Sequence, residues 1–210
     1  MSFDYNYPME KILIVDGSNL LFQMFYGIPK KIYNSQGDTI HATIGFIGAM
    51  FRMVNMVNPE YISVIFDSET PSERVLWDEN YKANRIKDWD SLPRDEVPFY
   101  ELDNIKKALN LLHIHFLETK NREADDVISS LVRQFQDQYE IVISSFDSDF
   151  FQLLNERVKI LHYRGKQTSI LDQELFYEKF GFYPDKYVFY KALKGDAADN
   201  IPGLPKIGTK

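Results

Sequence analysis

Nine acidic residues stand where their carboxylates can act together. Glu123, Asp125 and Asp126 put three carboxylates into four consecutive positions of NREADDVIS, residues 121–129. Val127-Ile128 and Leu131-Val132 follow at once, an apolar spacing that suits a buried helical face. A first-turn acid facing the helix dipole gains about 0.3–1 kcal/mol, but three acids also repel one another. Asp16, Asp67 and Asp147 each close an apolar, β-branched run. Asp147-Ser148-Asp149 adds a second acid at the next helical turn. In Gly195-Asp196-Ala197-Ala198-Asp199, the two acids are three apart, which puts both on one face of a helical turn. Each of these has an ordinary reading as a strand end, turn or helix cap. Nine together, without cations, would be strongly destabilising. Oxygen ligands with no Cys and few His suit Mg²⁺ or Mn²⁺, so the chemistry on offer is that of divalent metal ions.

The elements that must position these acids follow from hydrophobic patterning. Residues 11–16, 61–67, 113–117, 140–146 and 158–163 read as strands. Helices are expected over 19–26, 41–57, 72–84, 99–112 and from the NREADD segment onward, with two short helices over 173–194 broken near Pro184. Residues 85–98, charged and holding Pro93 and Pro98, read as a mobile or partly helical loop. Alternating strands and helices imply an α/β fold with a mainly parallel sheet covered on both faces. In open sheets of this kind ligands bind at the C-terminal edge of the strands, and three acids fall there.

The 210 residues suit one large domain or one domain with a small appendage. The absence of cysteine excludes disulfides and thiolate zinc sites. The polar start MSFDYNYPMEK resembles no secretory signal, so residues 1–10 are expected to be a disordered lead-in and the protein cytoplasmic. A net charge of −7 argues at face value against nucleic acid. With the nine clustered acids set aside from the 31, the 24 Lys and Arg outnumber the remainder by two, and nucleic acid is allowed again. DGSNL departs at Leu20 from a DxSxS adhesion-type site. DSDFF lacks the third ligand and glycine of an EF-hand loop.

IVDGSNLLF, the strand end at Asp67, YKANR, READDVIS, SFDSDFFQLL and GDAADNIPG resemble, in this order, the motifs of the 5′-nuclease superfamily of 5′–3′ exonucleases and flap endonucleases. The resemblance runs from about Lys11 to Lys210. It implies a PIN-like α/β core with a mainly parallel central sheet over 11–172, then the start of a helix-hairpin-helix module over 173–210. It implies two or more Mg²⁺ or Mn²⁺ ions, with Asp16, Asp67, Glu123, Asp125 and Asp147 as an inner metal group and Asp126, Asp149, Asp196 and Asp199 as the remaining or outer acids. Tyr81-Lys82-Ala83-Asn84-Arg85 resembles the basic base of a helical arch, about 81–98. Lys82 and Arg85, three apart, would share one helical face and reach the scissile phosphate. Tyr81 would stack on a base, Arg74 would contact phosphate, and Lys87, Trp89 and Arg94 would line a passage for single-stranded DNA.

GLPKIGTK resembles the start of the helix-hairpin-helix, where Gly203, Lys206 and Gly208 would grip a DNA phosphate with the help of K⁺. Lys206 stands where the family usually has glycine. The chain also ends before a second helix, which implies a weaker grip on duplex. The implied function is divalent-metal-dependent 5′–3′ exonuclease or flap endonuclease action. The implied partner is DNA with 5′ ends or flaps, extending to RNA primers in RNA–DNA hybrids, acted on by a monomer without membrane attachment. Two alternatives stand beside it: a PIN-type ribonuclease, and a DNA-junction binder that uses metals structurally.

Overall fold

A computed structural model describes residues 9–68, 74–83 and 88–205, with only the backbone at Val75 and Leu76. Its central sheet has six strands: β1 (Lys11–Asp16), β2 (Tyr61–Phe66), β3 (His115–Glu118), β4 (Glu140–Ser144), β5 (Val158–His162) and β6 (Ser169–Leu171). Their order is β3-β2-β1-β4-β5-β6. All neighbours are parallel except β5 and β6, which form an antiparallel pair. The short β6 has no counterpart in the sequence reading, because three residues carry too little alternation to register.

Strand alternation builds two cores. Leu13, Val15, Val64, Phe66, Val142 and Leu161 face one side. They meet α1 (Gly17–Gly27), α2 (His41–Val57) and α4 (Leu102–Leu111) through Leu21, Phe46, Met50 and Ile105. Ile14, Ile65, Ile141, Ile143 and Ile160 face the other side, against α5 (Ala124–Phe135), α6 (Gln173–Phe180) and α7 (Tyr187–Lys194) through Ile128, Val132, Phe176 and Tyr187. Period-two alternation on fully covered strands produces this division. Val15, Val64 and Ile143 are at most 1% exposed.

The helix expected over 72–84 is, among the described residues, the single turn α3 (Arg74–Trp77), followed by turns to Ala83. Lys82 has φ +56°, in the left-handed region, and this ends any helical register there. Residues 89–101 form three 3₁₀ turns, Trp89–Ser91, Arg94–Glu96 and Pro98–Glu101, and the α-helix proper begins only at Leu102. Pro93 and Pro98 force these breaks, since each removes an N–H and pushes its predecessor out of the helical region. After α7 come β7 (Gly195–Asp196), a 3₁₀ turn over Ala197–Asp199 and β8 (Ile201–Pro202), a small antiparallel ribbon. No described helix is long and apolar enough to cross a membrane.

Candidate metal centre

From β1 the chain steps outward to β2 and β3, then returns to build β4 and β5 on the other side. The order therefore reverses between β1 and β4, where open α/β sheets leave a crevice at the strand ends. Asp16 and Asp147 flank that crevice, and Asp67 follows the neighbouring β2. Asp16 caps α1, accepting from the Asn19 N–H at 3.0 Å, and accepts from Ser145 Oγ at 2.8 Å. Asp147 caps the 3₁₀ turn Ser148–Leu153 through the Asp149 N–H at 2.9 Å. The Asp67 N–H donates to Ser18 Oγ at 2.8 Å, and Asp67 Oδ1 accepts from the Ala124 N–H at 2.7 Å. A free donor at the start of α5 is thus satisfied by an acid from a different element, which aligns the knot of charge with the sheet edge.

Asp16, Asp67, Glu123, Asp125 and Asp147 line one cavity of about 1030 Å³. Lys82, Trp89, Arg94, Phe99 and Tyr100 also line it. Glu123 Oε2 accepts from Lys82 Nζ and Arg74 Nη1, both at 2.7 Å, and lies 3.1 Å from the Tyr81 hydroxyl. Arg74 Nη2 donates to Asp126 at 2.6 Å, and Nη1 lies 3.6 Å from Asp125. Asp126 thereby turns towards Arg74 and does not line the cavity. Arg74, read from sequence as a phosphate contact, spends its guanidinium on these acids.

Burial pushes the Asp16 carboxyl up to about 7; the hydrogen bonds from Asn19 and Ser145 oppose this, and the charges of Asp67 and Asp147 add to it. Burial raises Asp125 to about 6, opposed by Arg74 and assisted by Glu123 and Asp126. Asp147 is raised for the same first reason. Burial works against the Lys82 ammonium, yet its hydrogen bonds to Glu123 and Tyr81 win and hold it charged above the ordinary lysine range. Among the described residues Asp125 Oδ1 is buried with no hydrogen-bond partner. Carboxylates held against their preference for water, one with a bare oxygen and all with hard donors, fit a divalent cation.

A second group lies beside the first. Asp149, Asp196 and Asp199 bring carboxylate oxygens within 4.8 Å of one another, the one triple of acids so close among the described residues. Asp196, still extended at the end of β7, caps the 3₁₀ turn Ala197–Asp199 through the Ala198 N–H at 2.9 Å, and Asp199 closes that turn. Lys191 bridges the group, 2.8 Å from Asp149 and hydrogen-bonded to Asp196. Sequence reasoning missed Lys191, for a lysine in the last turn of an amphipathic helix looks like any solvated residue. It also missed Ser145, whose signal was the Ser144-Ser145 pair between a buried strand and Asp147.

The structure thus gathers five of the nine acids in one cavity and three in a neighbouring cluster, and leaves Asp126 outside both. Trp89 and Arg94 line the cavity. Lys82 does so from a left-handed turn, so the helical face shared with Arg85 does not form at Lys82. Arg85, Lys87, Lys206 and Gly208 lie outside the described residues. Gly203 is described: a Cβ there would come within 2.0 Å of the Lys194 carbonyl oxygen, which gives this glycine a packing reason of its own.

Residues 11–181 match the family described as 5′-3′ exonuclease, N-terminal resolvase-like domain. The thermostable DNA polymerase I of Thermus thermophilus is 35% identical over 204 residues, 97% of this chain and 23% of that protein. The chain thus spans about a quarter of the polymerase's length. A 5′-3′ exonuclease of Aquifex aeolicus is 33% identical over 203 residues, 96% of this chain and 67% of that protein. Among solved structures, the T5 D15 protein co-crystallised with metal ions superposes with a TM-score of 0.74 at 21% identity, covering 95% of this chain and 71% of its own. The catalytic core of Rad2 in complex with DNA substrate gives 0.60 at 19% identity, covering 96% and 59%. At such identities the structures speak for the fold.

Proposed function

This chain belongs to the 5′-3′ exonuclease family of N-terminal resolvase-like domains, and from that premise we propose that it hydrolyses DNA phosphodiesters at free 5′ ends and 5′ flaps, leaving 5′-phosphates. The observation that carries the reading is the convergence of Asp16, Asp67, Glu123, Asp125 and Asp147 on one cavity that also holds the Lys82 side chain. These five acids would hold Mg²⁺ or Mn²⁺, with Asp149, Asp196 and Asp199 as a further ligand group. Two ions bound there supply a water of lowered pKa and positive charge beside the phosphate.

The chain's own groups do the rest. Asp16 and Asp147, fixed by caps at the sheet edge, set where the reacting phosphate lies. Lys82, kept charged by Glu123, offers its ammonium to the phosphate oxygens as negative charge builds in the transition state. Arg85 is proposed for the same task. The Tyr81 hydroxyl is engaged with Arg74 at 3.1 Å and the Lys82 ammonium lies 5.0 Å from its ring centroid, so a base would stack on Tyr81 once Lys82 turns to the phosphate. Contacts to phosphate position the strand without reading its sequence, so selection is by shape and by the free 5′ end. Gly203, Lys206 and Gly208, with K⁺, are proposed as a duplex grip beyond residue 172. RNA primers in RNA–DNA hybrids, a monomeric state and a cytoplasmic site complete the proposal.

The test is cleavage of labelled 5′-flap DNA beside matched single-stranded DNA and RNA, in Mg²⁺, Mn²⁺ and EDTA. Metal-dependent cutting near the DNA junction, lost in Asp147→Asn with folding intact, is expected. Preferential cutting of RNA would replace the proposal with a ribonuclease. Binding in Mg²⁺ without product would replace it with a junction binder.

A further inference from the structure

Glu101 is 0% exposed and His41 1%, a buried acid and a buried base that the metal centre does not use. Glu101 Oε2 accepts from the Thr43 N–H at 2.7 Å and from Thr43 Oγ1 at 2.8 Å. Thr43 lies in the first turn of α2, whose own cap residue Ile40 supplies no side-chain bond. Glu101 is thus the carboxylate at the N-terminus of α2, delivered from a distant part of the chain. Its other oxygen lies 3.2 Å from His41 Nδ1, and His41 Nε2 lies 3.2 Å from the Phe25 carbonyl oxygen in the last turn of α1. That carbonyl only accepts, so Nε2 donates to it, while Nδ1 and Glu101 Oε1 face each other without a hydrogen bond. Glu101 therefore joins α1, α2 and the segment that ends in itself.

That segment is residues 88–101, the stretch of cavity lining that presents Trp89, Arg94, Phe99 and Tyr100. It consists of short 3₁₀ turns, which carry little rigidity of their own. Only Val97, Pro98 and Glu101 within it are buried. Its other ties include the aromatic edges among Phe22, Trp89 and Phe99, 5.4–6.1 Å between centroids, and the half-exposed Lys31–Asp95 pair. Surface pairs of that kind hold weakly. Glu101 is fully buried and takes two hydrogen bonds from Thr43, and removing a buried acceptor leaves its donors unsatisfied, so Glu101 is the firm end of the segment.

We propose that Glu101, held by Thr43 and packed beside His41, is a positioning residue that sets this wall and thereby governs admission of a single-stranded 5′ end to the metal centre. The inference rests on the 5′-nuclease reading of that cavity. It separates the wall from the chemistry: Glu101 touches neither substrate nor metal ligand, so its loss acts on substrate entry.

The experiment compares a 5′-flap DNA with a nicked duplex of the same sequence that lacks the flap, in Mg²⁺, for wild type, Glu101→Ala, Glu101→Gln and His41→Ala, with folding checked by thermal melting. Glu101→Ala is expected to raise KM for the flap about tenfold while kcat on both substrates and KM for the nick stay within about twofold, the pattern of lost uniform binding. Glu101→Gln is expected to restore the flap KM. Its amide oxygen can take both Thr43 bonds and its N–H can donate to neutral His41 Nδ1. A folded Glu101→Ala with an unchanged flap-to-nick KM ratio overturns the proposal, as does a Glu101→Gln that behaves like Glu101→Ala. Should Glu101→Ala not fold, His41→Ala keeps the Thr43 contacts and reads the same ratio. Wild type cutting neither DNA would bring down the nuclease reading and this inference together, whereas active wild type with an unmoved ratio removes the inference alone.

Discussion

Asp16 shows how one side chain carries both a structural and a chemical load. It caps α1, it is 8% exposed, and burial lifts its carboxyl from the ordinary 3.8 to about 7. Between about pH 4 and 7 the folded protein keeps a proton there that the unfolded chain has released. Stability of the metal-free protein therefore falls as pH rises through that window, by an amount on the order of 4 kcal/mol. Urea melts in EDTA across this range are expected to show the fall, and Asp16→Asn to flatten it. Asp125 contributes in the same direction. Lys82 belongs to the same scale. Lys82→Ala is expected to cut the single-turnover rate at saturating flap DNA by about 10²–10³-fold, the usual effect of removing one preorganised charge from a developing anion. DNA affinity should change far less. An unchanged rate would take Lys82 out of the chemistry.

At the scale of elements, the tight passage from β1 to α1 decides where Asp16 points. A Cβ on the buried Gly17 would lie 2.5 Å from the Phe66 ring at the end of β2. Gly17→Ala is therefore expected to cost about 1–3 kcal/mol, as overpacking does, and to lower cleavage by moving Asp16 away from Asp147. Equilibrium unfolding and the cleavage rate, measured on the same preparation, check both effects. The ribbon β7–β8 has a similar constraint. Gly195 sits at φ +78° and Gly203 packs against the Lys194 backbone, and between them they hold Asp196 and Asp199 beside Asp149. Gly203→Ala should open the ribbon and weaken Mn²⁺ binding, read by titration calorimetry. Full Mn²⁺ affinity in that variant would show that the cluster does not depend on the ribbon.

For the molecule as a whole, the metal-free acids are balanced only in part from within. Lys82 and Arg74 pair with Glu123, Asp125 and Asp126, and Lys191 pairs with Asp149 and Asp196, which leaves both groups with an excess of negative charge. A divalent ion that binds the folded protein and not the unfolded chain adds stability by mass action, about 2.7 kcal/mol at a hundredfold excess over Kd. Mg²⁺ or Mn²⁺ is thus expected to raise the melting temperature, and to raise it more at pH 8 than at pH 6, because ions compete with the protons on Asp16 and Asp125. A melting temperature indifferent to either ion at both pH values would remove the metal centre.

Much of this was legible in the chain itself. Runs such as KILIV and YISVIF can only be covered strands, since alternating faces with no polar side leave nothing for water. Acids placed directly after such runs must reach one edge once the strands are parallel, so Asp16, Asp67 and Asp147 were readable as a group. Other features depended on contacts between residues far apart in sequence. Asp67 satisfying the start of α5, Lys191 bridging two acids, Arg74 turning inward to Glu123 and Asp126, and Glu101 capping α2 leave no periodic trace. The helix expected through Lys82 failed for the same reason: its propensity was local, while the left-handed turn there is held by the Lys82 N–H on the Asp199 carbonyl, 3.0 Å away, and by the side-chain bond to Glu123. Hydrophobic period and residue type, which are local, determined the strands, the helices and the acids at their ends. Strand order and long-range hydrogen bonding, which no local pattern encodes, decided which acids share a cavity and which cations hold them.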